Sequence, residues 1–281
     1  MRQARLLIGW LDDAQATLFL SGQRMGVPLT DQQRGRLNAA RSAVAARPIR
    51  QDPNDAIRDA PAVLQKHIEA LQRLPAAQPY FAEGWRVVLA DLRQLRTVQF
   101  LVYPDRALAT VPAIDSSDIA ALAAVSIPLV TQQPAQVNYD QLNKTWVMSS
   151  PNLNLQVVGA WNQPVEFAPG NVATAYGFVV AALPSFMQVA KYRGLLILRD
   201  GYHRAHGFLH RGIPIVPTFY REFGDNDQLG FQAGLFAPNV YLGERPPLLP
   251  DYTANVVSGE VELPSPERII VLPSVQINQN R

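Results

Sequence analysis

Apolar residues recur at helical spacing through the first third of the chain. Leu6, Leu7, Trp10, Leu11, Ala14 and Leu18 fall on one face, and Gly22 supplies a stop. Thr30 followed by Gln33 is a capping-box pattern that opens a second helix, over 30–46. Pro61 after Asp59 opens a third, with Leu64, His67, Ile68, Leu71 and Leu74 as its stripe. Phe81, Trp85, Val88, Leu92 and Leu95 predict a fourth, at spacings of 4, 3, 4 and 3 that suit a helix–helix seam. The pattern thus predicts a helical region over 1–96.

Beyond Arg96 the period changes. Residues 98–103 form a strand-like run ended by Pro104-Asp105, and Ser117 caps a short helix over 118–125. Residues 131–176 are rich in Gln, Asn, Pro and Gly, with strand-like pieces at 146–149 and 155–160. A helix is expected over 178–192 despite Pro184. A buried strand follows at 195–198, a helix over 202–211 closed by Gly212, and a strand over 213–220. From Leu229 onward Pro and Gly are frequent, with late strands or an extended tail at 253–263 and 268–277. The fold expected is α+β, in three parts: a helical region 1–96, a small mixed-sheet domain 97–225, and a Pro-rich, partly strand-like extension 226–281.

Composition narrows the chemistry. The 281 residues are 48% hydrophobic, enough for a sizeable core, and carry no cysteine. Disulfide frameworks, thiolate metal sites and thiol nucleophiles are therefore excluded. Charged residues are only 17%, which argues against a highly charged disordered chain. The net charge of +2 is uneven: residues 1–106 hold 15 Lys+Arg against 10 Asp+Glu, and between Arg106 and Lys191 the one basic residue is Lys144. That stretch offers no broad phosphate-binding face. The apolar runs at 119–130 and 177–190 are too short to span a bilayer and contain Pro, and no cleavable signal is evident, so a cytoplasmic protein off the membrane is expected.

One segment carries chemistry. Leu195-Leu196-Ile197-Leu198-Arg199-Asp200-Gly201-Tyr202-His203-Arg204 reads as strand, glycine turn and helix, and Gly212-Ile213-Pro214 starts a return strand. The free N–H groups and dipole at such a helix start favour an anion. Arg204 adds a charge-assisted donor, His203 a donor or proton carrier, and Asp200 a helix cap or a ligand for a phosphate-bridging cation.

The Asp-Gly-x-His-Arg turn with its Gly-Ile-Pro strand resembles the ParB/sulfiredoxin-like superfamily, most clearly over 194–220 and loosely over 97–225. The resemblance implies nucleotide binding, with Gly201, Tyr202, His203 and Arg204 holding a nucleoside di- or triphosphate, with Mg²⁺. It also raises a nucleotide-dependent kinase or NTPase using His203 and Asp200 as catalytic groups. The departures are as informative. Without cysteine the chain cannot carry out the sulfiredoxin repair reaction, and no helix-turn-helix region follows the motif as in chromosome-partitioning proteins. The catalytic carboxylate of the free-serine kinases has no clear counterpart, and Glu166, Glu222 and Asp225 are candidates by default.

Other features read more plainly. His203, His206 and His210 share a helix face, but the first and last are ~10 Å apart, too far to share one ion, and no metal site is expected. His67 reads as a packed residue, and Gly243-Glu244-Arg245 as a loop. The aromatics Trp161, Phe167, Tyr176 and Phe178 read as core. Two further function classes stay open: a non-enzymatic interaction or assembly protein in which the turn is structural, and nucleic-acid binding through the +5 helical region. The interspersed acids of that region predict weak or no DNA binding.

Overall fold

The capping box expected at Thr30 forms, and a second, not read from the sequence, precedes it. Thr30 and Gln33 exchange bonds between side chain and backbone, and Asp12 and Gln15 do the same one helix earlier. In the computed structural model, residues 1–23, 26–53, 55–130, 135–150, 152, 154–231, 234–264 and 268–273 are described. The chain runs through β1 (Arg2–Leu6), α1 (Asp13–Leu20), α2 (Asp31–Ala45), β2 (Ile57–Asp59), α3 (Gln65–Arg73), α4 (Gln78–Ala82) and β3 (Arg86–Asp91). Then come β4 (Arg96–Thr97), β5 (Leu101–Val102), α5 (Pro104–Thr110) and α6 (Ile119–Ser126). Four strands follow: β6 (Gln136–Asp140), β7 (Thr145–Ser150), β8 (Leu155–Ala168) and β9 (Asn171–Ala182). The rest is β10 (Gln188–Tyr192), β11 (Leu195–Asp200), α7 (Tyr202–His210), β12 (Ile215–Phe223), α8 (Pro238–Tyr241), β13 (Gly259–Leu263) and β14 (Arg268–Pro273). The architecture is α+β.

The chain divides into two compact units. The larger, here the body, comprises residues 1–129 and 186–265. Its main sheet has the order β2-β3-β12-β10-β11-β4, mixed in direction, with β10 and β12 parallel and β10 and β11 antiparallel. A second sheet has the order β13-β1-β5. The smaller unit, residues 130–185 and 266–281, holds the sheet β14-β7-β6 and the two-stranded ribbon β8-β9.

Several expectations need correction. The seam helix over 81–95 does not form: α4 ends at Ala82, Gly84 follows in a left-handed conformation (φ +86°), and the chain continues as strand β3 between β2 and β12. Val87, Val88 and Ala90 are all buried because the strand is covered on both faces, so the two-residue alternation that marks a strand is missing. Residues 1–96 are therefore not a helical unit, since they supply β1, β2 and β3 to the sheets of the body. The helix over 178–192 is also overturned, by the end of β9 and by β10. The 226–281 segment is no loose extension. Leu249, Tyr252 and Leu263 are fully buried, and β13 pairs antiparallel with β1 from Leu6↔Gly259 to Arg2↔Leu263. Of the strand expected over 268–277, residues 274–277 lie outside the described residues.

Candidate functional site

The strand–turn–helix–strand expected around residue 200 is present, as β11, Gly201, α7 and β12. Two independent constraints demand glycine at 201. Its φ is +94°, and a Cβ there would lie 2.5 Å from Met187 Cγ. The Asp200 side chain accepts the Gly201 N–H at 2.6 Å, closing the turn on itself. Burial pushes the Asp200 carboxyl upward against the opposing pull of Arg204 and the Gly201 N–H.

Arg204 points inward. Its guanidinium donates to the carbonyls of Ser126 at 3.0 Å and Val125 at 3.3 Å, the C-terminal end of α6. A cation there satisfies orphan carbonyls and the negative end of the helix dipole. At the other end of α7, Arg211 does the same for α5, donating to Val111 O at 2.6 Å. Between the two, Gly207 lets α7 approach α5 closely: a Cβ would fall 2.6 Å from Ala107 O. Helix α7 is thus fastened at both ends and pressed on its neighbour in the middle. Tyr202 is buried, with its hydroxyl donating to Leu198 O at 2.7 Å.

His203 stacks on Tyr103, with ring centroids 5.9 Å apart and planes 4° from parallel. Its Nε2 is buried and has no partner. Burial, reinforced by Arg106, lowers its pKa to about 3, so the ring is neutral at pH 7. His206 Nδ1 is likewise buried and unpartnered, and burial with the nearby His210 lowers its pKa to about 4. The ring centroids of His206 and His210 are 6.4 Å apart. Among the described residues no three His, Asp or Glu side chains gather as a metal site.

As the turn stands, the Arg204 guanidinium is directed to the α6 carbonyls and His203 Nε2 is buried. In this arrangement the residues do not fit a nucleotide clamped by Arg204, nor a Mg²⁺ held by protein carboxylates. The default carboxylates are each engaged locally. Glu222 accepts from Tyr220 and Lys191, Asp225 from the Asp227 N–H, and Glu166 from the Gly170 N–H. A cleft of about 430 Å³ is lined by Glu83, Gly84, Arg86, Tyr220, Arg221 and Glu222, and its charges are paired: Arg221 with Glu83, Arg86 with Asp59 and Glu222 with Lys191. His67 is a packed residue, as expected, bonded through Nε2 to Ile127 O at 2.9 Å.

The arginine excess has the same inward character. Arg5, Arg41, Arg50, Arg96, Arg199, Arg204, Arg211 and Arg245 each donate to a backbone carbonyl of the body. Arg96 is the extreme case, 2% exposed and also paired with the buried Asp52.

The feature that the sequence reading passed over lies in the smaller unit. Trp161, Tyr176 and Phe178, read as core, are 47%, 72% and 54% exposed on the β8-β9 ribbon; the Phe167 side chain lies outside the described residues. From residue 145 to residue 190 the sole charged side chain is Glu166. That run was readable in the sequence, but a charge-free apolar stretch looks the same whether it is destined for a core or for a surface.

No family model matches the chain, and no curated protein or solved structure is significantly similar to it. The ParB/sulfiredoxin-like resemblance therefore rests on the turn and its flanking strands alone. Among the described residues no helix is long and apolar enough to cross a membrane.

Proposed function

We propose that the chain is a non-enzymatic assembly protein, whose 200–204 turn is an internal fastening and whose contact surface is the β8-β9 ribbon. The observation that carries this reading is the ribbon: 26 strand residues with Val157, Val158, Trp161, Val172, Tyr176, Phe178 and Val179 about half exposed or more, and one charge. Exposed apolar patches of this kind mark interaction surfaces. The inward use of Asp200, Tyr202 and Arg204 supports the structural role of the turn.

The test replaces residues 157–180 by an Asn-Gly turn. The expected outcome is an unchanged melting temperature for the body and loss of association, read by sedimentation. If the shortened chain associates as the intact chain does, the reading is lost.

One observation favours a second reading, a phosphate-bearing ligand at the turn. His203 Nε2 is buried without a partner at the first turn of α7, in the positive field of Arg106 and Arg204. In that case Arg204 leaves the α6 carbonyls to meet the ligand. Nucleoside di- and triphosphates, with and without Mg²⁺, then raise the melting temperature, by about 2.7 kcal/mol of stabilisation at 100 times Kd. No shift at millimolar ligand removes this reading.

A further inference from the structure

The two edges of the ribbon differ. Strand β8 is irregular: its register with β9 shifts between Val157 and Gly159 and again between Glu166 and Ala168, so Val158 and Phe167 are extra residues. It also contains Pro164, which lacks a backbone donor, and Glu166, the ribbon's single charge. Bulges, proline and charge are the devices by which edge strands avoid pairing with other chains. Strand β9 has none of them. It runs 12 residues, Asn171–Ala182, with no proline, no charge and no extra residue. Among the described residues no strand pairs with its outer edge. Every second residue there directs its N–H and C=O away from β8 over ~40 Å of strand.

We infer that β9 is the assembly edge, and that its partner is β9 of a second copy, paired antiparallel across a two-fold axis. This rests on the assembly reading above. An edge without charges meets its own copy with no like-charge repulsion, and carries no charge pattern that would select a different, charged partner. Antiparallel pairing of one strand with itself is self-complementary, as a two-fold interface requires. The product is a four-stranded sheet β8-β9-β9-β8, whose outer edges are the two protected β8 strands, so growth stops at the dimer. Val172, Thr174, Tyr176 and Phe178 alternate onto one face of β9 and align with the same residues of the second copy. The Trp161 ring covers Gly177, where a Cβ would clash with it, on the opposite face.

The test is sedimentation of the full chain at micromolar concentration, alone and with phosphatidylcholine vesicles. The intact chain is expected at twice its 31.0 kDa mass. Thr174→Lys with Tyr176→Lys, and separately Thr174→Glu with Tyr176→Glu, are each expected to weaken the dimer at least tenfold. Mixing the two variants restores it. Thermal melting of each variant checks folding. Should a variant not fold, backbone hydrogen exchange of the intact chain reads the same point, since β9 amides gain protection with rising concentration only if the edge pairs. A monomeric intact chain overturns the inference. Dimerisation that survives both variants but is lost on excision of residues 157–180 overturns the β9 edge and leaves the assembly reading intact. Vesicle binding by the intact chain that the Lys variant abolishes overturns the second copy in favour of a lipid surface.

Discussion

Leu196, Ile197 and Leu198 on β11 and Val157, Val158 and Val179 on the β8-β9 ribbon are the same kind of residue in the same kind of element. The first three are 4%, 0% and 0% exposed; the second three are 46%, 47% and 49%. Apolar composition is shared, and coverage is what differs. The body covers its sheet and pins its helices with arginines that end on carbonyls. Among the described residues of the smaller unit, Met148 and Leu155 are the only buried hydrophobics. So little buried apolar surface among the described residues is what the assembly reading of the ribbon answers. The body has spent its polar groups on itself, and the ribbon keeps its backbone edge and its aromatics unspent.

The sharpest way to break that contrast is to empty one tryptophan from each side. Trp85 is 3% exposed, edge-on to Tyr80 and Phe223, with the Arg199 guanidinium over its ring at 5.5 Å. Trp85→Ala is expected to cost ~3–5 kcal/mol, a large drop in melting temperature. Trp161→Ala on the ribbon should cost well under half of that. Equal losses would mean that the ribbon is packed as tightly as the body.

Acid should strip the body next. His203 and His206 titrate at about 3 and about 4 when folded, chiefly because of burial, and at ~6.5 when unfolded. Below pH ~6.5 the unfolded chain takes up protons that the folded chain refuses, so stability is complete above that pH and falls as the pH drops towards 4. The difference in melting temperature between the intact chain and His203→Asn with His206→Gln, followed from pH 7 to pH 4, isolates their share. A constant difference across that range would show that neither ring is held neutral by folding.

Arg204→Ala tests the fastening itself. Removing its bonds to Val125 O and Ser126 O, the latter keeping the Met187 N–H, is expected to cost ~1–3 kcal/mol. An Arg204→Ala chain that melts like the intact one would free Arg204 for a ligand and sharpen the phosphate reading. The smallest effect belongs to Tyr176→Lys. At 72% exposure it should change the stability of the isolated chain by no more than ~0.5 kcal/mol, while acting on association. A large drop in melting temperature at low protein concentration would place Tyr176 in a packed interior instead.

Some of the structure was legible within a few residues of its cause. Thr30 caps α2 because Gln33 answers it one turn later, and Gly201 turns β11 into α7 because no other residue takes that φ against Met187. Such signals are local, so the sequence alone carried them, down to the return strand after Gly212. The capping of α6 was one residue off: Asp118, not Ser117, accepts the first-turn N–H. What the sequence could not decide is who sits beside whom. Trp85, Val88 and Leu92 match a helix seam until β12 and β2 pair with β3 and the sheet, covered on both faces, buries Val87, Val88 and Ala90 alike. Arg204 looks like a phosphate ligand until α6, some 80 residues earlier, presents its last carbonyls to it. The run from 145 to 190, with Glu166 as its one charge, was plain in the sequence, but whether it meets a core or solvent depends on the covering surface, and that is a property of the folded chain. Hydrophobicity is non-directional, so a sequence states how much apolar surface must be covered, and only the tertiary structure chooses what covers it.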